Sequence, residues 1–329
     1  MNNSLPLPNN GSGTFFSGHV RNGSVSPASL MNASNIFNSL SLGSILLLIA
    51  LGLAITFGLM RVINMAHGEF LMAGAYATFV TQSAFKHFLP ASVYQASFLA
   101  AIPFSFVVGA AMGWVLEATV IRRLYGRPLD TLLATWGVSL ILQQAARSIF
   151  GSLAVNVDAP SWLDGQVKGP GGLVMPYNRL FIIALSLCCL GAMAAFLYGT
   201  ANGRRIQAVM QNRSMAACLG ISTRRVDALA FAVGSGFAGV AGCALSLLSS
   251  IDSNLGTKYI VDSFMVVVLG GVGQLVGALA GALGMGALNT AWEYQTTASL
   301  GKVLTFACII AFLQWKPQGL FPTKTRALD

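Results

Sequence analysis

The chain has 329 residues, of which 55% are hydrophobic and 9% charged, with a mean hydropathy of +0.69. That balance excludes a water-soluble surface and leaves little chain for a soluble domain. The formal net charge of +9 sits in short clusters between apolar runs, which is how membrane proteins retain cytoplasmic loops and not how they bind nucleic acid.

Residues 1–35 are rich in Asn, Ser, Gly and Pro with Arg21 as the one charge, a composition that predicts a disordered polar tail. It lacks the order of a signal peptide, and its Asn-Gly-Ser tripeptides at Asn10 and Asn22 match a glycosylation sequon but are discounted. Everything from 36 to 316 reads as an all-α polytopic integral membrane domain of about eight or nine transmembrane helices, two segments being interrupted. Apolar runs near the roughly 20 residues needed to cross a bilayer recur throughout. Residues 317–329 follow as a cytoplasmic tail.

The first span covers 36–60 and the second about 70–84. Between them lies the costliest local choice in the chain, Arg61 to Glu69, with Asn64, His67 and Glu69 at or near membrane depth. Ionisable groups there usually face a bundle interior or a pathway. Asn64 is equally suited to capping the helix that follows, His67 to a structural hydrogen bond, and Glu69 to pairing with Arg61. A third span fills about 92–121, a basic turn holds Arg122, Arg123 and Arg127, and a fourth span covers 132–150. It carries Gln143, Gln144 and Arg147, polar groups that could hold a neighbouring membrane subunit. Residues 151–178, poor in positive charge, read as an external loop. A fifth span runs from about 179 to 198.

The second half is dense in glycine. Gly273, Gly277 and Gly281 make successive small-xxx-small steps that suit close helix packing. The Gly271–Gly277 string has neither dinucleotide nor phosphate-loop spacing. Gly271, Gly273 and Gln274 interrupt a hydrophobic segment much as 64–69 do in the first half. Paired interruptions of this kind point to a binding site at the bilayer midplane, so the two breaks are expected to face each other. Asp262 is expected to cap a helix at the external face.

Residues 204–225 form the substantial cytoplasmic loop. Val209, Met210, Ala217 and Ile221 fall near helical spacing, and Gly220 would close a short helix. Such a helix suits either the membrane surface or a partner's groove. The five cysteines lack metal-ligand spacing, and no metal site is expected. Three histidines, without HExxH or a triad arrangement, give no support to an enzyme. With nine crossings the N-terminus is external and the C-terminus cytoplasmic; eight would make one segment re-entrant.

Four separated motifs occur in order: RVINMAHGEFLMAGAY from Arg61, NRSMAACLGISTRRVDALAFAVGSGFAGVAG from Asn212, YIVDSFMVVVLGGVGQLVG from Tyr259 and KPQGLF from Lys316. They resemble the branched-chain amino-acid ABC importer permease family, and within it they look most like its urea-transporting members. The likeness covers about 36–328. It implies a bacterial inner-membrane permease that binds no cofactor itself and works with a second related permease, an external solute-binding protein and two cytoplasmic ATPases carrying ATP-Mg. No Walker motif is present here. The resemblance further implies that Arg213, Met215, Ala216, Ala217, Gly220, Ile221 and Arg224 belong to the segment coupled to the ATPase. Met215 stands where a glutamate is common, which leaves hydrophobic docking but no glutamate ion pair. Urea is small and neutral, so Asn64 and Gln274 would suffice for it. A zwitterionic amino acid would want a helix N-terminus for its carboxylate and Glu69 for its ammonium. A passive channel for a small neutral solute is the alternative from another class.

Overall fold

The computed structural model describes residues 27–60, 63–88, 94–168 and 174–321. The polar tail up to 26, both sequons, Arg61 with its expected pairing, and Lys324 and Arg326 lie outside them. The architecture is all-helical apart from one small hairpin. In chain order the helices are α1 (Pro27–Met60), α2 (His67–Phe88), α3 (Ser97–Thr119), α4 (Pro128–Phe150), α5 (Tyr177–Gly199), α6 (Ala201–Gln211), α7 (Arg213–Cys218), α8 (Thr223–Leu245), α9 (Leu255–Gly270), α10 (Leu275–Gln295) and α11 (Ala298–Trp315). The hairpin pairs β1 (Gln166–Lys168) with β2 (Val174–Pro176), Val167 opposite Met175, inside the expected external loop.

Among the described residues six helices are long and apolar enough to cross a membrane by length and composition: the bulk of α1 and all of α5, α8, α10 and α11, with α3 continued by one 3-10 turn to Arg123. Helices α2 and α4 have 22 and 23 residues but are more polar. Helix α9 has 16 residues, about 24 Å, short of the roughly 30 Å hydrocarbon core. The eight or nine expected spans included these three. Helix α1 begins at Pro27, ahead of the expected start at 36.

Helix α1 is apolar all round, and such a helix must be buried. From Ile45 to Ile55 its residues are almost wholly enclosed by α8, α10, α5 and α9. Close approach is allowed by small residues: a Cβ on Gly43 would lie 3.2 Å from the Leu283 backbone in α10, and one on Gly58 would lie 2.6 Å from Gly273 Cα. Helices α2, α3 and α8 meet where Ser105 Oγ donates to Gly74 O at 3.0 Å and contacts Thr78 Oγ1 at 3.1 Å. One end of this bundle gathers the basic clusters, the end that charge distribution assigns as an expectation to the cytoplasm. There the KPQGLF segment closes α9: Leu320 N donates to Leu269 O at 2.9 Å and Phe321 N to Gly270 O at 3.1 Å. Both acceptors are carbonyls that a helix end leaves open.

Candidate functional site

The polar break resolves into a tight turn. Asn64 Oδ1 accepts from Ala66 N at 3.1 Å, Asn64 O from His67 N at 3.3 Å, and Ala66 O from Glu69 N at 3.0 Å. Asn64 therefore folds the chain back on itself before α2, the local role its short amide side chain suits. His67 is fully enclosed beside Ile49 and Gly52 of α1, edge-on to Phe70 at 6.1 Å. It serves as packing, and neither ring nitrogen makes a hydrogen bond of ordinary geometry.

Glu69 is 1% exposed. Its Oε1 accepts from Ser139 Oγ at 2.7 Å and from Gln143 Nε2 at 2.8 Å, both on α4. Gln143 Nε2 also lies 3.0 Å from Thr257 Oγ1 in the first turn of α9. Immediately beside this cluster Gly68 meets Gly256; a Cβ on Gly68 would come 2.5 Å from the Gly256 carbonyl oxygen. The N-termini of α2 and α9 thus converge on one buried polar cluster, each bringing the positive end of a helix dipole. Two enclosed polar atoms there, Glu69 Oε2 and Asn64 Nδ2, have no hydrogen-bond partner. Buried polar groups are almost always paired, so the orphaned Glu69 acceptor asks for a ligand.

The wall of this site is α4, whose bundle-facing residues Thr131, Thr135, Ser139 and Gln143 recur every four positions. Thr135 Oγ1 accepts from Met65 N at 3.2 Å, which ties the break to α4. One turn beyond Gln143, Arg147 donates to Ser253 Oγ at 2.9 Å and Asn254 Oδ1 at 2.8 Å. The result is a polar file along one face of an otherwise apolar helix. Sequence reading noticed Gln143 and Arg147 but assigned them to a partner permease, and it missed Thr135 and Ser139. The i, i+4 spacing of hydroxyls and amides in an apolar run was the available signal. Gln144, one position off that face, is exposed.

Gly271, Gly273 and Gln274 are placed differently from expectation. They form the turn between α9 and α10 at the basic end, with φ of 105° at Gly271 and 79° at Gly273. Gly273 approaches Met210 of α6 and Gly58 of α1. Glu69 lies by the start of α9 and this turn by its end, and residues 256 and 270 are separated by about 21 Å along a helix. The two breaks do not face each other across one site; the partner of the first is the 253–257 segment. Asp262 is likewise not a cap. It lies within α9 and pairs with Lys302 of α11 at 2.9 Å.

In the 204–225 segment, α6 and α7 replace the single expected helix, split at Asn212, whose Oδ1 caps α7 by accepting from Met215 N at 3.0 Å. Gly220 closes α7 in a Schellman arrangement: Ile221 N donates to Ala216 O at 3.1 Å and Gly220 N to Ala217 O at 3.0 Å, with φ of 81° at Gly220. Met215, Ala217, Leu219, Gly220 and Arg224 are exposed, Ile221 is half-buried and Ala216 buried. Arg213 turns inward and pairs through both terminal nitrogens with Asp227 of α8, beneath the Tyr125 ring at 4.6 Å. The bond to Asp227 holds the Arg213 guanidinium more firmly protonated than usual, while burial and the Asp227 charge push the Tyr125 hydroxyl up. Arg213 is therefore a link between α7 and α8 more than a free docking charge.

This architecture has relatives. A family model described as the branched-chain amino acid transport system / permease component matches residues 35–313. The chain belongs to this family. The permease is 30% identical over 293 residues to the high-affinity branched-chain amino acid transport system permease protein LivH of Salmonella typhimurium, which covers 87% of this chain and 94% of the relative. It is 24% identical over 304 residues to LivM of Escherichia coli, a permease protein of the same kind of system (86% and 69% covered). It is also 25% identical over 288 residues to the ribose import permease protein RbsC of Escherichia coli (84% and 83%). The urea specificity expected from the motifs receives no support from these relatives.

Proposed function

We propose that this permease forms the membrane path of an ATP-driven importer for branched-chain or similar aliphatic amino acids, paired with a second related permease. The observation that carries the reading is the unpartnered Glu69 Oε2 where the N-termini of α2 and α9 converge. An α-amino acid brings one charge for each half of that site: its ammonium for the carboxylate and its carboxylate for the helix ends. A neutral amide such as urea would leave the buried carboxylate without a cationic partner, which is costly. The site is closed to solvent, so cargo would reach it by alternating access. The likeness to both LivH and LivM supports a two-permease assembly, and the likeness to RbsC fits a shared architecture serving differently named cargo.

Uptake of labelled leucine is the direct test, in cells carrying the complete importer with an intact or a hydrolysis-deficient ATPase. Leucine accumulation that needs hydrolysis and is unaffected by excess urea is the expected result. ATPase-dependent urea accumulation without leucine uptake would replace the cargo, and downhill entry that ignores the ATPase would replace the class with a passive channel.

As part of the same proposal, we assign coupling with the ATPase to the exposed face of α7 and its closing turn. Nothing lies within 4 Å of a Cβ built on Gly220, so Gly220→Val acts through its left-handed backbone, at a cost of about 1–2 kcal/mol. The variant is expected to insert normally and hydrolyse ATP while leucine uptake falls, read as the ratio of leucine accumulated to phosphate released. An unchanged ratio would remove this turn from the coupling path.

A further inference from the structure

Away from Glu69, at the end of the bundle opposite the arginine clusters, a groove of about 350 Å³ opens between the N-terminal ends of α1 and α5 and the C-terminal end of α10. That volume is at the lower end of the roughly 300–1,000 Å³ typical of small-molecule pockets. Two opposite charges line it, Arg179 of α5 and Glu293 of α10, together with the apolar side chains Leu42, Ile45 and Leu248. Among the described residues neither Arg179 nor Glu293 belongs to an ion pair, with each other or with a third group. Arg179 Nη1 instead donates to Asn38 Oδ1 at 2.7 Å, which orients the guanidinium and leaves further N–H groups for another acceptor.

We propose that this groove is an outer capture site for a single zwitterionic amino acid with an aliphatic side chain. The ligand carboxylate takes the free edge of the Arg179 guanidinium, a planar donor set suited to carboxylates. The ammonium lies toward Glu293, and the side chain covers Leu42, Ile45 and Leu248. One unpaired charge of each sign in one cavity, with an apolar wall between helices, matches all three parts of such a ligand. A neutral solute would use neither charge. The inference rests on the amino-acid reading of the importer for its ligand class, but not on Glu69 or on coupling.

The test is a protection measurement on the complete importer in lipid nanodiscs, without nucleotide. Asn35→Cys places a thiol at the rim of the groove in a chain whose exposed Cys188, Cys218 and Cys308 are replaced by alanine. Maleimide labelling of that thiol is followed against leucine, isocaproate (leucine without its ammonium), isoamylamine (leucine without its carboxylate) and urea. Leucine is expected to slow labelling saturably. Each single-charge analogue should protect about fivefold less well, the upper end for half-exposed charge pairs, and urea should not protect. Arg179→Gln and Glu293→Gln should each lower leucine protection to the level of the matching analogue. No protection by leucine, or equal protection by isocaproate or isoamylamine, overturns the proposal without any need of the two variants. Leucine protection without leucine uptake would leave the groove standing and remove the cargo reading. Uptake without protection would do the reverse.

Discussion

Glu69→Gln is expected to lower leucine uptake about ten- to a hundredfold, from the loss of about 1.5–3 kcal/mol of charge-assisted hydrogen bonding, while the permease still assembles. The substitution is nearly isosteric, and the amide oxygen can still accept from Ser139 and Gln143 as Oε1 does now. What changes is the other atom. An N–H₂ replaces the acceptor Oε2, the one carboxylate atom that no neighbour uses, so an incoming ammonium meets a donor. Glu69→Ala is the less informative variant, because it strands the Ser139 and Gln143 donors and confounds folding with binding. Uptake rates and the amount of intact complex, measured on the same membranes, separate the two effects. Wild-type leucine uptake by Glu69→Gln would sink the role of this carboxylate.

Gly74→Leu is the variant expected to cost most in folding. A Cβ at Gly74 would overlap the backbone of Gly239, and the Gly74 carbonyl accepts from both Thr78 at 2.9 Å and Ser105 at 3.0 Å. Backbone cannot move aside as a side-chain tip can, so α2, α3 and α8 must separate. The expected loss is about 3 kcal/mol or more, the upper range of overpacking, seen as collapse of the yield of detergent-extracted, monodisperse protein. Gly284→Leu is the matched control, since nothing lies within 4 Å of its Cβ. Equal yields from the two variants would show that this three-helix contact is not as tight as described.

The same contrast shows how far sequence carries. Both Gly74 and Gly284 are glycines in apolar helices, and no local pattern distinguishes the one pressed against Gly239 from the one facing open space. The first polar break, by contrast, was legible: polar side chains at membrane depth are costly enough that Asn64, His67 and Glu69 had to face the bundle interior, and all three are buried. Their division of labour was not. Asn64 folds the turn, His67 packs against α1, and Glu69 presents an unpaired acceptor where it meets α4.

Sequence by itself determined the all-helical membrane class, since no soluble surface can be made from this composition, and it marked the basic end, the short helix closed by Gly220, and the family motifs. Tertiary structure alone decided which interruptions meet. Gly271, Gly273 and Gln274 look like a second midplane break when read along the chain, yet they turn at the basic end, where positive φ and the docked 316–321 segment require glycine. Residues 253–257, part of a polar Asp252–Lys258 break that was not singled out along the chain, lie instead beside Glu69 and α4. The physical reason is that hydropathy reports how much polarity a segment carries but not its depth in the bundle. Depth and partner follow from where long helices cross, and those crossings are set by contacts between residues far apart in the chain.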